Sequence, residues 1–167
     1  MLNNILKNMN LFVDGRGYAG NIEEIELPKL TTKTEEFRNG GMDAPIEVDM
    51  GMEKLEASWT LTAYEKEVLK LYGLGAGQDK AVTIRGALKS ENGQETAVVI
   101  NLRGMIKEVD SGSWKAGDKA TLKQSIAIRY YKMTIGYETI HEIDIANMTR
   151  IINGVDQLAQ TRANLGL

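Results

Sequence analysis

A chain of 167 residues, 43% of them hydrophobic, is long enough for one domain with a real core and too apolar for intrinsic disorder. Twenty basic against twenty-three acidic residues leave a net charge of −3, without the basic excess of a protein that grips phosphates, and the absence of cysteine excludes disulfide and thiolate chemistry. No apolar run approaches the roughly 20 residues that a bilayer-spanning helix needs, and the amino terminus lacks the apolar core of a signal peptide, so assembly in the cytoplasm is expected.

Residues 1–8 are too short for an element of their own, and Leu2, Ile5 and Leu6 need a surface to lie on, which predicts an arm. Residues 10–14 and 18–27 have strand composition and are separated by Gly15-Arg16-Gly17, whose glycines suit a tight hairpin. After Pro28 the threonine-rich residues 30–37 predict another strand. Residues 38–52 follow as a projecting loop. Gly40, Gly41, Pro45 and the methionines make this stretch a poor helix or central strand, yet Met42, Ile46, Val48, Met50 and Met52 make it too apolar for a solvated loop. These side chains need a partner, either the chain's own core or a neighbouring subunit, and methionine adapts well to an irregular one.

Residues 55–61 alternate Leu55, Ala57, Trp59 and Leu61 with polar residues, the pattern of a strand with one buried face. Thr62 and Glu65 have the spacing of a capping box, and Tyr64, Val68, Leu71 and Tyr72 follow as an apolar stripe, which predicts an amphipathic helix stopping at Gly73. The glycine run 73–77 follows that helix and not a strand, so it predicts a joint and not a dinucleotide loop. Residues 81–89 and 96–109 read as a long hairpin about the Asn92-Gly93 turn. Residues 110–118, with Trp114, read as a loop. In residues 120–135, Leu122, Ile126, Ile128 and Tyr130 oppose Thr121, Lys123, Ser125, Ala127 and Arg129. Residues 138–145 form the expected final strand, and 147–167 a second arm, apolar at Ile151, Ile152, Val155, Leu158 and Leu165, with a short helix over 156–163.

Reactive constellations do not emerge from the pattern. His141 is the only histidine and is read as structural. Asp43, Glu47, Asp49, Glu53 and Glu56 miss the calcium-loop spacing and read instead as partners for basic residues on a neighbour. Adjacent carboxylates, Glu23 with Glu24 and Glu35 with Glu36, point to opposite faces of a strand and cannot share acid–base work. An enzyme is therefore the least favoured class, and no cofactor or metal is implied.

Ordered landmarks carry a family resemblance. Asn10-Leu11-Phe12-Val13-Asp14-Gly15, Leu27-Pro28-Lys29-Leu30, Gly40-Gly41-Met42-Asp43-Ala44-Pro45, Leu102-Arg103-Gly104 with Lys107-Glu108-Val109-Asp110, and Ile152-Asn153-Gly154-Val155-Asp156 with Leu165-Gly166-Leu167 run in order to the end of the chain. In these the chain resembles the major tail tube protein of contractile-tailed phages, in the variety of P2-like phages and R-type pyocins. The resemblance implies a single tail tube domain over 1–167, mainly β, an antiparallel sandwich-like or barrel-like fold with one helix. Its strands would join a ring-wide β-barrel in a hexamer, which removes open edges, and rings stacked head to tail would make a tube.

On that basis the expected ring-to-ring contact is Arg38, Met42, Asp43, Pro45, Ile46, Val48, Asp49, Met50 and Met52. The arms would contact neighbours through Leu2, Ile5, Leu6, Ile151, Val155, Leu158 and Leu165. Polar strand faces would line the lumen at Thr83, Arg85, Asn101, Thr121, Lys123, Ser125 and Arg129, a list that a one-residue change of register would exchange for the opposite face. The resemblance further implies a tail sheath outside, a baseplate and tail terminator at the ends, and DNA only as passing cargo if the particle is a phage. The particle would be a virion tail or a bacteriocin. The alternatives are a type VI secretion tube component and a small monomeric β-barrel binding module.

Overall fold

The computed structural model describes residues 1–73 and 77–167. Period-two patterning and β-branched composition yield strands β1 (Ile5–Val13), β2 (Arg16–Gly17), β3 (Ile22–Glu26), β4 (Thr32–Phe37), β5 (Ile46–Met52) and β6 (Glu56–Leu61). One turn of helix, α1 (Lys66–Leu69), separates these from β7 (Lys80–Lys89), β8 (Glu95–Asp110), β9 (Leu122–Ile135) and β10 (Glu138–Asp144). The chain ends in β11 (Thr149–Ile152), β12 (Val155–Asp156) and α2 (Ala159–Asn164). Every strand pairing among the described residues is antiparallel, so the protein is mainly β and antiparallel as expected.

Ten strands form one sheet in the order β12-β11-β10-β9-β8-β7-β1-β2, and β6, with β3 on its far side, also pairs with β9. The sheet therefore forks along β9. Its first half, from Leu122 to Ala127, pairs with β6, and its second half, from Tyr130 to Ile135, pairs with β10. Alternate residues of both wings point to one side and make the core: Leu55, Ala57, Trp59 and Leu61 from the β6 region, Val82 and Ile84 from β7, Ile100, Leu102 and Ile106 from β8, and Leu122, Ile126 and Ile128 from β9. β4 and β5 pair only with each other, as a separate two-stranded sheet that leaves the domain where the large sheet forks.

Several expectations need correction. The amino-terminal arm is shorter than 1–8, because Ile5 and Leu6 already pair with Lys89 and Leu88 of β7, whose edge would otherwise be open. Even Leu2 is tied down: its N–H donates to Glu91 Oε2 at 3.1 Å, and its carbonyl accepts from the Glu91 N–H at 2.9 Å. The first hairpin turns at Asp14 and Gly15, both left-handed, and β3 crosses over to pair with β6, where Ile22 and Ile25 pack on the core. Residues 46–52 of the expected loop are strand β5.

The expected helix shrinks to α1, since its intended cap residues bond elsewhere: Thr62 Oγ1 donates to Asn21 O at 3.2 Å, and Glu65 Oε1 accepts from Asn21 Nδ2 at 3.1 Å. The glycine run 73–77 lies partly outside the described residues. β10 is not the last strand. The carboxy-terminal stretch first extends the sheet as β11 and β12, turning at the left-handed Asn153 and Gly154, and only then forms α2. In β9 the alternation slips once: a bulge beside Gly104 makes Arg129 the extra residue, so that Tyr131 and not Tyr130 enters the core.

Candidate assembly site

The β4–β5 hairpin has one polar face and one mainly apolar face, on which Glu35 is the charged exception. Pairing sets Phe37 opposite Ile46 and Glu35 opposite Val48, while Glu36 opposes Glu47 and Thr34 opposes Asp49 on the other face. The apolar face is uncovered: Phe37, Ile46, Val48 and Met50 are 46, 56, 41 and 50% exposed. An isolated two-stranded hairpin is marginal in water, and one with an exposed apolar face more so, which makes this face a candidate contact surface. Phe37 was absent from the expected contact set. Its signal was positional, since only the cross-strand register shows that it extends the row of Ile46 and Val48.

The other expected contact residues divide by geometry. Asp43 and Pro45 are exposed at the tip. Arg38 and Met42 instead shape the tip itself, with Arg38 Nε donating to Met42 O at 3.3 Å and the Asn39 N–H directed at Met42 Sδ at 3.3 Å. Met52 turns inward and packs against the core, so it is a structural anchor and not a free contact. Asp49 is a second anchor. Its Oδ2 accepts from Arg150 Nη2 of β11 at 3.0 Å, and its Oδ1 accepts from the Gly51 N–H at 2.8 Å. The Gly51 amide first and the Arg150 guanidinium second hold the Asp49 carboxyl below the usual aspartate range. Beneath the hairpin, Leu30, Met52, Ile143, Arg150 and Ile152 border a cleft of about 230 Å³. Glu35, Glu36, Asp43 and Glu47 take part in no ion pair among the described residues.

Both chain ends expose apolar side chains as well. Leu2, Ile5 and Leu6 are exposed at the amino end, and Val155 and Leu165 at the carboxy end, whereas Ile151 and Leu158 are half-buried. No residue of α2 is buried. The helix is held by Arg162, which donates to Asp156 Oδ2 at 2.5 Å and to Met148 O at 2.8 Å.

Of the residues expected along a lumen, Thr83, Arg85, Asn101, Lys123 and Ser125 share the sheet face opposite the core. Cross-strand neighbours there run Asn10–Arg85–Val99–Thr134 and Phe12–Thr83–Asn101–Lys132–Glu142. Arg129 sits at the bulge with Asp79 at 3.6 Å, and Thr121 precedes β9. His141 lies beside Tyr131 with ring centroids 6.4 Å apart. Among the described residues no three histidine, aspartate or glutamate side chains are grouped as metal ligands would be.

An antiparallel β subunit with an uncovered apolar hairpin and open sheet edges is a building block of a larger assembly. The model of the family phage tail tube protein FII matches residues 3–166, and the chain belongs to that family. It is 37% identical to the tail tube protein of Escherichia phage P2 over 97% of this chain and 96% of the relative. It is 33% identical to the major tail tube protein of Serratia phage KSP20 over 85% and 83%. Two solved structures share the fold at low identity. One is a chain of the sheath–tube complex of an extracellular contractile injection system in the extended state, with a TM-score of 0.60 at 15% identity over 76% of this chain and 88% of that one. The other is a chain of the sheath/tube terminator of such a system, with a TM-score of 0.59 at 14% identity over 76% and 93%.

Proposed function

We propose that this tail tube protein forms the rigid inner tube of a contractile phage tail or R-type bacteriocin by stacking hexameric rings. The observation that carries the proposal is the apolar hairpin face of Phe37, Ile46, Val48 and Met50, which is left about half exposed among the described residues. Edge strands supply the ring contact. Among the described residues β1 from Ile5 to Asn10 is paired on one side only, as is β8 beyond Gly104, and pairing such edges around a ring closes a barrel. The hairpin supplies a second, head-to-tail contact, and a contact of that kind does not close, so rings add indefinitely.

In this reading the polar sheet face bearing Thr83, Arg85, Asn101, Lys123 and Ser125 lines the channel. A ring of six carries about −18 from the net charge of −3 per chain, so a passing polyanion is not retained by net attraction. The chain ends, through Leu2, Ile5, Leu6, Val155 and Leu165, reach neighbouring subunits. A sheath surrounds the tube, with a terminator and a baseplate at its ends, in keeping with the sheath–tube and terminator complexes that share the fold. The particle assembles in the bacterial cytoplasm and its tube crosses the target envelope.

Negative-stain electron microscopy of the purified protein over a concentration series, at low and moderate salt, tests this. Rings or tubes with an open axial channel are expected. Ile46→Asp with Val48→Asp should leave a folded chain that forms soluble subunits or rings without lengthening, and normal tubes from that variant would defeat the assignment.

A further inference from the structure

The inner face of the large sheet is left uncovered at one end. Leu6 and Met9 of β1, Leu88 of β7, Val98 of β8, Met133 of β9 and Leu27 beyond β3 line an open groove of about 270 Å³. Apart from Arg85, every residue bordering it is apolar. Small-molecule sites usually exceed roughly 300 Å³ and contain several convergent polar groups that orient the ligand, and this groove has neither the size nor the groups. Its dimensions suit a few apolar side chains.

We propose that this groove receives the apolar face of the β4–β5 hairpin of a second copy, with Phe37 and Ile46 entering it. The proposal rests on reading the hairpin as the ring-to-ring contact and adds the surface that accepts it. The same chain displays an apolar projection and an apolar recess, each uncovered. Its own hairpin does not fill its own groove, because Asp49 and Met52 hold the hairpin base against the β10–β11 wing. In the sheet order four strand spacings separate β11 from β7, about 19 Å at ~4.8 Å each.

Area explains why the occupant is a copy in a ring and not one partner of a dimer. A hairpin with a strand of 7 residues presents a face about 23 Å by ~10 Å, so docking covers about 460 Å² counting both sides. Stable pairs need about 1,200 Å² or more, so a single docking holds no dimer. Six dockings formed together between two rings cover about 2,800 Å², which is ample. Projection and recess are different surfaces, so each copy gives one contact and receives another.

Because the chain has no cysteine, introduced pairs test the contact directly. Phe37→Cys is combined in turn with Leu6→Cys, Leu27→Cys and Leu88→Cys, at concentrations where the unmodified protein forms tubes, and the assemblies are oxidised and run on non-reducing gels. At least one pair should give a ladder extending beyond dimer that reductant collapses, while the single-cysteine variants give none. Leu6→Asp, at an exposed position, should also abolish lengthening while leaving the circular dichroism spectrum unchanged. Tubes without a ladder in all three pairs, or normal tubes from Leu6→Asp, would overturn the groove while leaving the hairpin contact standing if Ile46→Asp still blocks stacking. Normal tubes from Ile46→Asp would overturn both.

Discussion

Arg150 of β11 donates through Nη2 to Asp49 of β5 at 3.0 Å, joining the projecting hairpin to the carboxy-terminal stretch 101 residues away. The two regions are therefore one unit, and the hairpin is aimed by the end of the chain. The Gly51 amide and Arg150 both favour the Asp49 carboxylate, so its folded pKa is depressed. A depressed group contributes stability above its unfolded pKa and loses it as the pH falls through the folded value, so the anchor weakens below the usual aspartate range. Protection factors of the β4 and β5 amides, corrected for the intrinsic pH dependence of exchange, should fall on acidification while those of β7–β9 stay high. Arg150→Ala should cause the same local loss of protection at neutral pH with little change in melting temperature, because the Asp49 carboxylate is half exposed and the pair is screened by solvent. Unchanged exchange in Arg150→Ala would show that Met52 alone holds the hairpin.

Stability is more sensitive at Gln124. Its side chain is wholly buried, accepts from Trp59 Nε1 at 3.0 Å through Oε1, and donates through Nε2 to Val68 O at 3.0 Å, stitching α1 to the sheet. Gln124→Leu keeps the volume but orphans the indole N–H and the Val68 carbonyl, at a cost of about 2–4 kcal/mol. Urea unfolding should show a lowered midpoint at unchanged slope. A midpoint within error of the parent would mean that the two groups find other partners.

Much of the fold was legible because it is periodic. Residues 81–89, 96–109 and 120–135 announced β7, β8 and β9 to within two residues, and Leu55, Ala57, Trp59 and Leu61 are all buried as their alternation required. What remained hidden depended on partners distant in sequence. Thr62 and Glu65 have capping spacing, but Asn21, more than forty residues earlier, engages both. The exchange of Tyr130 for Tyr131 follows from a bulge set by β8. The Asn153-Gly154 turn was the exception, because it carries the same dipeptide signal as Asn92-Gly93 and marked β11 and β12 locally. The projecting stretch stood out as a loop by its misplaced hydrophobicity, while strand β5 within it and Phe37 on the opposite strand required the pairing.

That same bulge makes Gly104 irreplaceable. A Cβ at this position would lie 2.0 Å from Ala127 O and 3.1 Å from Ile128 Cα, backbone atoms held in the sheet. Gly104→Ala should therefore destabilise by more than about 3 kcal/mol or prevent folding. Gly40→Ala, with nothing within 4 Å, should change stability by less than about 0.5 kcal/mol. Parallel thermal melts of the two variants decide the matter, and equal melting temperatures would mean that β8 and β9 can part without loss.

Trp114 sits in the loop after β8, 77% exposed, yet it is not free. Its Nε1 donates to Tyr64 Oη at 2.7 Å with the rings edge to face at 5.6 Å, and Tyr64 in turn donates to Ser111 O, so the loop is latched to the turn before α1. The other tryptophan, Trp59, is 1% exposed. Acrylamide should accordingly quench about half of the subunit fluorescence readily and the rest hardly at all, and Trp114→Phe should remove the accessible part. Tyr64→Phe should make Trp114 more quenchable without moving Trp59, because it removes the acceptor of the indole N–H and the bond to Ser111. If Tyr64→Phe leaves quenching unchanged, the loop is held by its own backbone and the latch contributes nothing.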